Sequence, residues 1–391
     1  MRGKAAINPK ILVWAREDFG ISIEAVAKGI GQKNKKIIEL WEKGEDAPSF
    51  AQLESLARFY KRPTAFFYLP EPPTPTKLPN DFRTALSKNV EILHKETRLA
   101  VRRAEYVQQV LKEIEQEGLE EFKLKTTLAD DSNLLVREVE ILGNLDREHF
   151  RKSTQDSRTA LAFWRNFIEE KIGVITLSLP FPLKEARGFS LFDATHPVVV
   201  INSHDTENGK IFSLFHELGH LALRGSGICL PSEVGTSNSF PSKIEQFCNS
   251  FAGSFLVPNN SLNNYKQKKS FDVENFDSTI DSTAKYFRVS KFVILARLLQ
   301  LHEINKNIFS EKTQQYREEY EKIKNLVEKK KFAVKQEYLC VSANGPRFTT
   351  KVLASYNEKK ITLSDVSRLL NVGVRHIKNV ESYIYKRARN T

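Results

Sequence analysis

Apolar residues recur at helical spacing along most of this chain and give way to short β-branched runs in one stretch near its middle. Near the start, Ile11, Leu12 and Ala15 mark a first helix, Ser22 offers a cap to IEAVAKGI, and Gly31 lies just beyond that second helix. The segment KNKKIIELWEK, roughly Lys33 to Lys43, predicts the next helix, ending near Gly44, and FAQLESLARFY a further one after Pro48. Two short helices around a glycine, the second opening on basic residues, form the helix-turn-helix pattern, although small helical bundles share that spacing.

Residues 70–79, PEPPTPTKLP, hold five prolines and exclude helix and central strand alike. After this linker, residues 87–118 are charged, with recurring apolar positions and no Gly or Pro before Gly118, which predicts one long amphipathic helix. A helix with Phe163, Trp164 and Phe167 then leads through Gly173 to VITLSL, GFSLF and PVVVIN, so that helix and three strands describe an α+β core. The strand PVVVIN is expected at an edge of its sheet, where an extended peptide adds by main-chain pairing, with His196 and His204 in surface turns beside it. Two more helix–break–helix pairs surround Val289 and Val372, read as packing units, and the lysine-rich EEYEKIKNLVEKKK between them reads as a solvated face. The expected fold class is α+β and mostly helical.

At 391 residues the chain can bury more than one core without disulfides. Its three cysteines, Cys229, Cys248 and Cys340, stand at unrelated spacings and fit reduced thiols of a cytoplasmic protein. No apolar run approaches the roughly 18–20 residues of a membrane span, and the N-terminus lacks a secretory apolar region, so a soluble cytoplasmic location is expected. A net charge of +12 inclines the chain toward polyanions. Residues 311–391 concentrate that charge, with 18 Lys and Arg against 9 acidic residues.

Against this background IFSLFHELGHLAL stands out, because it sets His216, Glu217 and His220 in an apolar helix. Residues i and i+4 share a helix face, so His216 and His220 can aim at one zinc ion, while Glu217 is displaced toward a water as general base. A third ligand is needed. The histidine pattern that continues to position 226 is excluded, since Ser226 stands there. Glu245, among Ile244, Phe247, Phe251 and Leu256, is favoured because an unpaired charge there would be costly and a metal would resolve it. Glu233, in the polar loop PSEVGTSNS, competes for the role. A structural protein with an accidental HExxH would have to explain Glu245 as well.

INPKILVWARE, WEKGEDAPSFAQLESLARFYKRPTAFFYLPEPP, DFR at Asp81–Arg83, RGFSLFD, FHELGHLAL and EQFCNSFAGSFLVP together resemble the ImmA/IrrE metallopeptidase family in its long form, with an N-terminal Xre-type helix-turn-helix. The resemblance covers roughly residues 7–86 and 150–300 and continues weakly to 380. It implies a zincin-like fold, zinc ligation by His216, His220 and Glu245, and catalysis by Glu217. Cys248 departs from the alanine usual in that segment of the family. The helix-turn-helix pattern and basic balance point to a DNA operator as partner, with Lys33, Asn34, Lys35 and Lys36, at the start of the helix that enters a major groove, the expected contacts. The protein partner is expected to be a helix-turn-helix repressor cleaved as substrate, a cognate toxin, or a second copy of the chain. The expected domains are a helix-turn-helix domain over 1–69, a linker and long helix over 70–150, a peptidase domain over 151–265 and a helical region with helix-turn-helix-like pairs over 266–391.

Overall fold

Asn8 accepts the amide of Lys10 and Pro9 takes a first-turn position, so the chain enters helix α1 (Pro9–Phe19) with its early amides provided for. It leaves at Gly20 in the left-handed conformation that glycine adopts freely. Ser22 caps α2 (Ile23–Gly29), and after a turn α3 (Lys36–Lys43) follows, then α4 (Phe50–Tyr60), opened by a reciprocal cap between Ser49 and Gln52. Ile11, Leu12, Val26, Ile38, Trp41, Leu53, Leu56 and Tyr60 meet in one core. Arg16 Nε donates to both Glu42 carboxylate oxygens, at 2.8 and 3.1 Å, and ties α1 to α3.

This computed structural model describes residues 4–73, 94–115, 120–225, 228–229, 243–268, 275–327 and 334–388. The chain divides into two compact units, residues 1–78 with 83–102, and residues 103–391 with 79–82. Of the long helix expected over 87–118, the described part is α5 (Lys95–Ile114); the second half of the proline-rich stretch, from residue 74, lies outside the described residues.

In the second unit, α6 (Ser132–Gly143), α7 (Arg147–Ser153) and α8 (Ser157–Phe167) precede a wide π turn over Ile168–Ile172 that ends at Gly173. The strands are β1 (Ile175–Leu179), β2 (Gly188–Leu191), β3 (Val198–Asn202) and β4 (Ile228–Cys229), in the order β1-β3-β2-β4. β1 runs parallel to β3, and the other pairs are antiparallel. The strand expected at the edge, β3, is therefore interior, with both its margins paired. The true edge β1 is closed at Thr176, whose amide donates to Glu169 Oε1 at 3.2 Å and whose carbonyl accepts Arg165 Nη2 at 2.9 Å.

Helices α9 (Glu207–Ala222) and α10 (Lys243–Leu256) pack against each other, with Phe215 stacked on Phe255 at 4.3 Å between ring centres. Trp164, Phe215, Phe251, Phe255 and Leu218 belong to the same core, together with residues from α12 (Phe276–Phe287) and α13 (Lys291–Gln300). Helix α11 (Asn259–Lys268) lies between these in sequence; α14 (Lys306–Val327), α15 (Gln336–Asn344), α16 (Pro346–Asn357), α17 (Leu363–Leu370) and α18 (Ile377–Ala388) complete the chain. The fold is α+β and mostly helical. Among the described residues no helix is long and apolar enough to cross a membrane.

Candidate metal centre

Helix α9 carries His216, Glu217 and His220 one turn apart, and its remaining residues in that turn, Phe215, Leu218, Gly219 and Leu221, are fully or almost fully buried. Gly219 sets how near α10 can come. A Cβ there would stand 3.1 Å from Cys248 Sγ and 3.3 Å from its Cα, so only glycine lets α10 approach this closely without a shift. Glu245, one turn before Cys248, is thereby carried to the two histidines.

His216 Nε2 lies 3.1 Å from His220 Nε2 and 3.1 Å from Glu245 Oε2, and His220 Nε2 lies 3.2 Å from Glu245 Oε1. All three residues are buried, and they form the group of metal-ligating type found among the described residues. A tetrahedral ion with ligands at about 2.0–2.1 Å spaces those ligand atoms about 3.3 Å apart, close to the observed triangle. The donor set of two imidazoles and a carboxylate suits zinc. Asn249 Oδ1 lies 3.0 Å from His216 Nδ1; accepting a hydrogen there would, with an ion bound, leave the Nε2 lone pair for the metal.

Burial would raise the Glu245 carboxyl, but hydrogen bonds from His216 and His220 outweigh it and hold the group well below the ordinary carboxylate range. Glu217 goes the other way. It is fully buried, and desolvation raises it above the ordinary range despite the pull of His220, His216 and a hydrogen bond from Ser190. Ser190 Oγ, on β2, donates to Glu217 Oε2 at 2.8 Å, while Oε1 has no hydrogen-bond partner among the described residues. One oxygen is thus anchored and the other is buried without a hydrogen-bond partner among the described residues. A Cβ at Gly188, two residues earlier, would stand 2.9 Å from the Val200 carbonyl oxygen, so glycine serves the close pairing of β2 with β3 there.

Glu233 lies outside the described residues. His196 is not in a surface turn: it is fully buried, with Nε2 3.0 Å from Glu115 Oε2 and Nδ1 2.8 Å from Thr195 Oγ1. His204 is exposed, and its Nδ1 lies 3.2 Å from the carbonyl of Phe181. A cavity of about 1350 Å³ in this unit is lined by Glu115, Glu169, Arg347 and Lys351 and includes none of the cluster. The metal-ligating cluster thus lies apart from this cavity.

In the first unit, Lys33, Asn34, Lys35 and Lys36 are all exposed. The helix expected from Lys33 begins at Lys36, because Asn34 Oδ1 accepts the Lys36 amide at 2.9 Å and halts the preceding turn. Lys35 pairs with Glu24 at 2.5 Å.

These features define a class: a helix-turn-helix unit followed by a mostly helical α+β unit with a two-histidine, one-carboxylate cluster. Comparison with protein-family models agrees, since residues 12–67 match the helix-turn-helix model and residues 169–299 match the IrrE N-terminal-like domain of peptidase M78. The likeness is to these two domain families, each over less than half of the chain. No curated protein matches it.

Proposed function

We propose that this protein is a zinc-dependent endopeptidase and DNA-binding regulator that cleaves a helix-turn-helix transcriptional repressor. The observation that carries the reading is the buried triangle of His216, His220 and Glu245 beside a carboxylate with one anchored and one unpaired oxygen. His216, His220 and Glu245 would hold the zinc ion, which when bound supplies Lewis acidity to the scissile carbonyl and to water. Glu217 Oε1 takes the proton of the attacking water and returns it to the leaving amine; its raised basicity, a consequence of burial, suits that exchange. Ser190 keeps the carboxylate from turning away during both transfers. The site opens on no free margin of β3, so a substrate reaches it otherwise than by adding to that strand.

The purified chain, loaded with zinc, is expected to cleave the repressor encoded nearby, and Glu217→Gln to lower the rate by about two to four orders of magnitude. Equal cleavage by variant and parent would remove the reading.

A second reading, an antitoxin or autoregulator whose peptidase fold binds a partner, is favoured by the exposed Lys33, Lys35 and Lys36 at the turn of the helix-turn-helix. A gel shift on the upstream region of its own operon should be salt-sensitive and sequence-preferring, and weakened by alanine at Lys33, Asn34 and Lys36. No shift at low salt would count against it.

A further inference from the structure

The last two helices repeat the plan of the first unit's helix pair. Thr362 caps α17 by accepting the Asp365 amide, and Asp365 Oδ2 accepts the Thr362 amide at 3.0 Å in return. Helix α17 stops at Asn371 in the left-handed conformation, and a turn through Gly373 and the short 3-10 segment Val374–His376 leads into α18. In the first unit Ser22 caps α2 and Gly31 takes the left-handed conformation before α3. From cap to left-handed residue the two helices are equally long. The second turn is locked: Ser367 Oγ donates to the Val372 carbonyl at 2.7 Å, and Asn344 Nδ2 to the Leu370 carbonyl at 2.8 Å.

One face of α18 is buried through Ile377, Val380 and Ile384. The other exposes Lys378, Asn379, Ser382, Tyr385 and Lys386, with Arg375 at its foot. The helix carries one carboxylate, Glu381, against the cations Arg375, Lys378 and Lys386. Glu381 is half-buried and its Oε1 accepts Asn357 Nδ2 at 3.4 Å, while Arg375 Nε donates to His376 Nε2. Nearby Arg368 is occupied by Asp365 at 2.8 Å, whereas Lys378 and Lys386 form no ion pair among the described residues. The pair around Val289 differs. Its second helix, α13, is sunk in the core through Val293, Ile294, Leu295, Arg297 and Leu298, which suits packing alone.

We infer that α17 and α18 form a second duplex-DNA-binding surface, with α18 as the helix that enters the major groove. Arg375, Lys378 and Lys386 complement phosphates, and Asn379 and Ser382 are side chains of the kind that bond base edges. The inference stands apart from the zinc reading and from DNA binding by the first unit.

To test it, a photo-crosslinking amino acid replaces Ser382 in the full chain, which is irradiated with labelled double-stranded DNA. Crosslinks that fade with added salt are expected, and none from the same probe at Ile141, an exposed position on α6. In a chain already carrying alanine at Lys33, Lys35 and Lys36, the further change Arg375→Ala, Lys378→Ala, Lys386→Ala should weaken duplex binding about tenfold or more. The slope of log affinity against log salt should become shallower by about 2.7, from about 0.9 per phosphate contact. Absence of the Ser382 crosslink overturns the proposal, as does an unchanged salt slope in a variant that melts like its parent. Crosslinking that favours single-stranded RNA, or only protein, overturns the assigned partner. Should the triple variant fail to fold, the crosslink decides.

Discussion

Asn249 shows how much of a site rests on side chains that do no chemistry themselves. By accepting from His216 Nδ1 at 3.0 Å it would, with an ion bound, select the tautomer that can ligate. Asn249→Ala is expected to weaken zinc binding about 10- to 100-fold, measured by competition with a chromophoric chelator, and unchanged affinity would show that the ring is held by packing alone. His216, Glu217 and His220 are legible in the sequence because the chemistry needs them at fixed helical offsets, and Glu245 because its surroundings are so apolar. Asn249 and Ser190 are not, since an amide or a hydroxyl in an apolar segment carries no mark of the residue it will face. His196 is misplaced by its sequence for a related reason: its turn looks polar locally, and the Glu115 carboxylate that meets its Nε2 is far away along the chain.

Between elements, the close fit that bears on the cluster is the crossing of α9 and α10 at Gly219. Gly219→Ala would drive a methyl against Cys248 Sγ, Cα and Cβ at 3.1–3.3 Å, and overpacking of this kind costs about 1–3 kcal/mol. Urea unfolding should show that loss, and the pair Gly219→Ala, Cys248→Ala should recover part of it, because the sulfur is the nearest obstacle. No recovery would place the strain on the backbone instead. The helices themselves are legible from periodicity, including Lys243–Leu256. The order of strands is not. PVVVIN is as apolar as any edge or central strand, and its place inside the sheet depends on a parallel partner, β1, and an antiparallel one, β2, that pair across long separations. The start of α3 shifts for a local reason, Asn34, which caps where the pattern suggests a helix already begun.

For the whole molecule, each unit has its own core, so zinc should stabilise only the second. Chelation is expected to lower the melting temperature of the transition belonging to residues 103–391 and leave that of the first unit in place, read by scanning calorimetry with and without chelator. Acid should act through Glu115, whose carboxyl is lowered to about 2 by the His196 hydrogen bond, assisted by Lys351 and Arg347 and opposed by burial. The unfolded chain titrates it near 4.5, so its contribution is complete above that pH and drains away as pH falls toward about 2. In metal-free protein Glu115→Gln should flatten stability against pH within that window, and an unaltered slope would assign the acid sensitivity elsewhere. The closure of β1 has a last consequence, one for the chain in company. Arg165 and Glu169 occupy the outward carbonyl and amide of Thr176, the groups through which a neighbouring chain would dock its own strand. These two side chains are expected to hinder such docking, so Glu169→Ala should make refolding yield fall more steeply with protein concentration than it does for the parent.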